Sequence, residues 1–174
     1  MRICGCTSCL KWVVVLCAVF VVDGCKMQYS FTGASIQPEA RTVSVSNFPN
    51  VAPLVNPTLA TTLVEALKDR FSSQTRLSVQ EFGGDFTFEG EITGYSVAPT
   101  AIQGNETAAM NRLTVTVHVK FTNTLDDAAC YDKNFSTYED FSSLQQLTQV
   151  EGELTDRIVE KLVDDIFNAA VANW

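Results

Sequence analysis

Two stretches of this chain alternate apolar and polar residues almost without interruption. That period of two dictates an antiparallel sheet with one buried and one wetted face. Leu113, Val115, Val117, Val119 and Phe121 form one row against Arg112, Thr114, Thr116, His118 and Lys120. Upstream, Phe86, Phe88 and Ile92 oppose Asp85, Thr87, Glu89, Glu91 and Thr93. A hairpin joining the two about Gly104-Asn105 pairs residues whose numbers sum to about 209, so Glu91 faces His118 and Glu89 faces Lys120. Opposite charges at facing positions contribute roughly 0.2–1 kcal/mol each.

Two amphipathic helices must cover the apolar face. Asn56-Pro57 reads as a helix start, Asn capping and Pro in the first turn. Leu59, Leu63, Ala66, Leu67 and Phe71 then make one stripe that ends near Gln74. A second helix opens at Thr148-Gln149-Val150-Glu151, a capping-box pattern, and buries Val150, Leu154, Ile158, Leu162, Ile166 and Phe167. Further strands are expected at Met27–Thr32, Arg41–Phe48, Leu77–Phe82 before the Gly83-Gly84 turn, and Cys130–Tyr138. The expected fold class is α+β: a two-layer sandwich, a mainly antiparallel sheet of four to six strands with both helices on one face.

The first 24 residues read as a cleaved export leader. Arg2 and Lys11 precede the uncharged apolar run Trp12–Val22, which closes on Val22-Asp23-Gly24-Cys25. A membrane span needs about 20 apolar residues, so the run has signal-peptide length. Val and Gly at −3 and −1 before Cys25 resemble the bacterial lipoprotein box, although Asp23 stands where a small or neutral residue is usual. Lipidation of Cys25 would hold residues 25–174, a single domain, on a bilayer, at ~0.8 kcal/mol per buried CH2.

Removal of the leader takes Arg2, Lys11 and Asp23, leaving 10 basic and 19 acidic residues, a balance of −9. That excess argues against nucleic acid and against charge-driven adhesion to an anionic bilayer. Cys4, Cys6, Cys9 and Cys17 leave with the leader, so their spacing is no metal site. Cys130 is then either an unpaired thiol or, with an ordinary signal, the disulfide partner of Cys25. No catalytic motif, cofactor loop or metal pair accompanies the one histidine, His118; a Cys130–His118 dyad is the sole enzyme-like arrangement. Arg112, His118 and Lys120, with Lys68, Arg70 and Arg76 of the first helix, are candidates for an anionic headgroup or a partner. The segment from Ala98 to Asn111 is long for a hairpin loop. Its Thr100, Ile102, Gln103, Asn105 and Met110 suit contact with a protein wall.

Three ordered segments carry a family resemblance: residues 29–77 (YSFTGASIQPEARTV…), 90–124 (GEITGYSVAPTAIQGNETAAMNRLTVTVHVKFTNT) and 163–174 (VDDIFNAAVANW). With Cys25 ahead of them, these resemble the compact branch of the LptE family, the lipopolysaccharide-assembly lipoproteins of the outer membrane. The resemblance implies a non-enzymatic role without cofactors. It implies a plug in the lumen of the β-barrel LptD, assisting passage of lipopolysaccharide. The lipid on Cys25 would keep the domain at the outer membrane, facing the periplasm or inside the barrel, and Lys26 does not resemble an inner-membrane retention signal. The competing expectations are a transport-associated lipoprotein that itself binds lipid, and a periplasmic hydrolase built on His118.

Overall fold

In the computed structural model the described residues are 36–54, 56–100 and 109–171. The expected lipidation site Cys25, the expected strand Met27–Thr32 and the loop residues Ile102, Gln103 and Asn105 lie outside them. The elements follow as β1 (Thr42–Val45), α1 (Leu59–Gln74), β2 (Ser78–Gln80), β3 (Phe86–Thr100), β4 (Met110–Asn123), β5 (Tyr131–Ser142) and α2 (Leu147–Val171). The sheet order is β2-β1-β3-β4-β5. β3, β4 and β5 form a long antiparallel meander, while β1 pairs in parallel with both β2 and β3.

Both helices bury their stripes on one face of this sheet. Leu59, Leu63, Leu67 and Phe71 of α1 and Leu154, Ile158, Leu162, Ile166 and Phe167 of α2 meet Val43, Val45, Phe86, Phe88, Ile92 and the β4 row Leu113–Phe121. Six rings run through this layer from helix to sheet edge, Phe167, Phe71, Phe88, Phe121, Tyr131 and Phe135, with successive centroids 4.8–6.0 Å apart. The expected α+β sandwich with both helices on one side is the observed fold.

Two crossovers attach the parallel edge, a long one through α1 from β1 to β2 and a short one from β2 to β3. From β2 the chain returns to β3 across the helix-free face of β1, and Gly84 is the residue that touches: a Cβ there would stand 2.7 Å from Ser44 N and 2.9 Å from Val43 C. Gly83, at φ 72, makes the turn in a region open to glycine. Asp85 then locks the crossover. Its carboxylate accepts the N–H of Arg41 at 2.9 Å, the Thr42 hydroxyl at 2.8 Å and the Thr42 N–H at 3.0 Å. These bonds, the Arg41 N–H first, hold its pKa below the ordinary carboxylate value.

The charged form is favoured only in the folded state, so this contribution is complete above the unfolded pKa, about 3.9. It is lost as pH falls through the lower folded value. Asp85→Asn should therefore lower the melting temperature near neutral pH, and the gap to wild type should close on acidification. Thermal melts of both proteins across that range check it.

The bounds differ from expectation at β1 and β2. Arg41–Phe48 contracts to Thr42–Val45 and Leu77–Phe82 to Ser78–Gln80, because β2 and β1 pair over only three residues. The stretch after β1 still follows β3, with Ser46 N–H donating to Phe88 O at 2.9 Å and Asn50 bridging to Ile92.

Candidate functional site

The face of β3-β4-β5 turned away from the helices carries the basic row picked out in the sequence, and each of its charges has a partner. Register places Glu89 opposite Lys120 and Glu91 opposite His118, as the hairpin arithmetic requires. Lys120 Nζ lies 3.9 Å from Glu89. His118 turns the other way: its Nε2 is 2.9 Å from Asp132 and its Nδ1 2.9 Å from Asn134, both on β5. The expected Glu91–His118 pair is therefore facing in register but replaced by a β5 contact. Arg112 donates two bonds to Asp140, at 2.7 and 2.9 Å, with its guanidinium 3.6 Å above the Tyr138 ring. That guanidinium holds the Asp140 carboxyl below the usual carboxylate range. The row closes with Thr116 and Ser136 hydroxyls 2.9 Å apart. Exposed pairs of this kind contribute about 0–1 kcal/mol each, and with Glu89, Glu91, Asp132 and Asp140 set against Arg112, Lys120 and His118 the face keeps an acidic excess.

Lys68, Arg70 and Arg76 do not join this row. α1 packs on the opposite face of the sheet, so the two basic groups form no common headgroup site. Arg70 pairs with Asp164 and lies 5.5 Å over the Phe167 ring. It borders an open groove between the helices whose rim also carries Asp69, Asp156 and Glu160. Arg76 is exposed at the end of α1, and Lys68 is partly buried. The Cys130–His118 dyad is likewise not formed. Cys130 sits in the β4–β5 turn, where its Sγ accepts the Asn123 N–H at 3.2 Å.

The edge strand β5 is guarded against strand addition by charges on its inward row. Lys133 arches over Tyr131 and Phe135, 4.9 and 4.8 Å from their rings. Glu139 is held at 2.5 Å by Lys161 and at 3.9 Å by Arg157, both from α2.

A polar cluster that the sequence reading missed joins the starts of both helices to β3. Between Ile92 and Gly94 the β3 register slips by one residue, which turns Tyr95 inward. Its hydroxyl donates to Glu151 of α2 at 2.6 Å. Burial and that carboxylate push the Tyr95 phenol above its ordinary pKa. Asn56 Nδ2 donates to the same Glu151 oxygen at 3.1 Å and to Thr155 at 3.2 Å. Asn56 Oδ1 meanwhile accepts the N–H groups of Thr58 and Leu59 at 2.9 and 3.2 Å, so the expected asparagine cap acts from two residues further upstream.

Glu151 is thus drawn from the expected capping box. Gln149 replaces it, accepting from the Gln146 N–H at 3.4 Å. Gly94, a break in the alternation, was the signal for the slip. Asn56→Ala should cost about 2 kcal/mol, the sum of a lost cap and unpaired buried groups. Asn56→Asp should recover little, since it sets a carboxylate against Glu151. Urea unfolding of the three proteins measures both.

The two described loop candidates, Thr100 and Met110, form the last described pair of the β3–β4 hairpin, where the Thr100 hydroxyl donates to Met110 O at 2.9 Å. The strands extend into the expected loop, so it is shorter than Ala98–Asn111. No helix among the described residues is long and apolar enough to cross a membrane.

Residues 40–170 match the protein family described as LptE: Lipopolysaccharide-assembly. Curated proteins gave no significant match. Among solved structures, a minor lipoprotein from Acinetobacter baumannii is similar at 12% identity and TM-score 0.49, over 73% of this chain and 90% of that one. Uncharacterized lipoprotein B from Nitrosomonas europaea is similar at 14% identity and TM-score 0.44, over 81% and 88%. Hypothetical protein CT253 from Chlamydia trachomatis follows at 10% and 0.46, over 77% and 100%.

Proposed function

The chain belongs to the LptE lipopolysaccharide-assembly family, and from that premise we propose that it is a non-catalytic lipoprotein of the outer membrane that partners an LptD-like β-barrel. The observation that carries the reading is the extent of the match. Residues 40–170 span every strand and both helices of the described fold except the last residue of α2. The pairing on the sheet face supports a fitting role over a reactive one, since His118 and Arg112 are committed to β5 partners. The layer between sheet and helices is filled by Phe48, Phe71, Phe88 and Phe121, which gives a lipid-carrier reading no support. Cys25 supplies the tether in this reading, and lipopolysaccharide passing through the barrel is the cargo.

Depletion of the protein in its native cells tests the function. The expected result is loss of lipopolysaccharide from the cell surface, restored equally by the wild type and by His118→Ala. Rescue that fails with His118→Ala, at normal protein level, would favour the hydrolase reading instead.

A further inference from the structure

The two helices pack side by side, and the solvent side of their seam opens into a groove of about 550 Å³. α1 turns Thr62, Ala66 and Ser73 toward it, four and seven residues apart and so stacked on one face. These short side chains leave the seam unfilled, and Val159 and Val163 of α2 form its buried floor. The rim is acidic. Asp69 of α1 and Asp156, Glu160 and Asp164 of α2 stand around one guanidinium, that of Arg70, which is taken up by Asp164. The cations of α2 point elsewhere: Arg157 and Lys161 reach Glu139 of β5, and Arg157 also holds Glu153. Among the described residues, Asp69, Asp156 and Glu160 therefore have no ion-pair partner. Asp156 and Glu160 are four residues apart on one helix, a spacing at which like charges repel and destabilise.

Arg70 carries a second, separate signal. It pairs with Asp164 through Nη2 and lies over the Phe167 ring, yet its Nε–H is buried with no acceptor among the described residues. A buried donor left unbonded is costly. An occupant that suits this groove brings positive charge to the rim and an acceptor oxygen to Arg70. A polypeptide bearing Lys or Arg has both, the oxygen being a main-chain carbonyl. A bare cation has only the first.

We infer that the groove between α1 and α2 is the docking site for a lysine- or arginine-bearing segment of a protein partner. The inference stands whichever protein carries the segment, so it does not rest on the barrel partnership. The volume has the scale of ligand pockets and admits a few side chains. A divalent cation is the poorer match, since no three His, Cys, Asp or Glu side chains among the described residues come together as a metal site. An anionic lipid headgroup is repelled by the same carboxylates. Charge complementarity of this kind steers encounter and weakens with salt.

A photo-crosslinking amino acid placed singly at Thr62 and Ser73 of the groove in the full-length protein, irradiated in native cells, tests the assignment. Mass spectrometry then sequences the cross-linked peptides. The inference expects both positions to capture one partner segment that carries Lys or Arg. Combining either position with Asp156→Asn and Glu160→Gln should lower the adduct yield roughly tenfold, the loss of charge attraction at the rim. The melting temperature of that double variant should equal or exceed that of the wild type, because two repelling charges are gone; the lower yield is then a loss of docking and not of folding. Unchanged yield in the double variant overturns the inference. Adducts to segments without Lys or Arg, adducts to lipid alone, or no adduct from either position overturn it as well. If a β-barrel co-purifies in any of those cases, the function proposed above still stands. Charge-dependent adducts to a basic segment of a protein other than a β-barrel uphold the groove and count against that function.

Discussion

Phe88→Ala should lower the unfolding free energy by about 3–5 kcal/mol, a large fraction of the 5–15 kcal/mol that a domain of this size holds. Phe88 is fully buried and lies midway along the row of rings, 4.9 Å from Phe71 of α1 and 4.8 Å from Phe121 of β4. Its removal takes away a side chain's worth of buried area and two ring–ring contacts, each about 0.5–1.5 kcal/mol beyond burial. The neighbours cannot collapse into the space, since Phe71 is fixed on a helix and Phe121 in a strand paired on both sides. Phe88→Leu should cost clearly less. Urea denaturation gives both values, and a loss under about 1 kcal/mol for Phe88→Ala would mean that this row is not the centre of the core.

Gly90→Ala is the second large effect, although it adds one carbon. A Cβ at this position would stand 2.1 Å from the His118 carbonyl oxygen and 2.7 Å from the Phe48 ring. The carbonyl belongs to the neighbouring strand, so making room means parting β3 from β4 in mid-sheet. Phe48 is fully buried and has nowhere to swing. Overpacking of this severity costs about 3 kcal/mol or more. The same substitution at Gly152, in the first turns of α2 with nothing within 4 Å, removes only a helix-breaking residue. It should stabilise by about 0.5–1 kcal/mol. Opposite signs for the two in matched denaturation curves are the expected result.

These positions also show what the sequence disclosed. The alternation from Phe86 to Ile92 and from Leu113 to Phe121 fixed both the buried face and the register, because a slip of one residue would turn every apolar side chain to water. Glu89–Lys120 followed directly. Beyond Thr93 the same reasoning failed: one extra residue in β3 reversed the faces, and Tyr95 became the anchor for Glu151. His118 was placed on the right face and opposite the right residue. Which cross-strand neighbour its ring would choose depends on side-chain reach, and the pattern does not encode that.

The parallel edge was hidden for a different reason. β1 and β2 pair through three residues each, too few for a periodic signature, and the direction of pairing is set by the α1 crossover. The two groups of cations were each located correctly in sequence, yet the sheet lies between them. Function was legible only through the ordered segments that resemble the LptE family, since neither charge nor a catalytic motif pointed to it.

Affinity purification of the full-length protein from native envelopes in mild detergent, with mass spectrometry of the complex and of its N-terminal peptide, tests the central claim most directly. The account predicts a stoichiometric β-barrel partner and an N-terminus at an acylated Cys25. A protein recovered alone, with its leader intact and Cys25 unmodified, would contradict it.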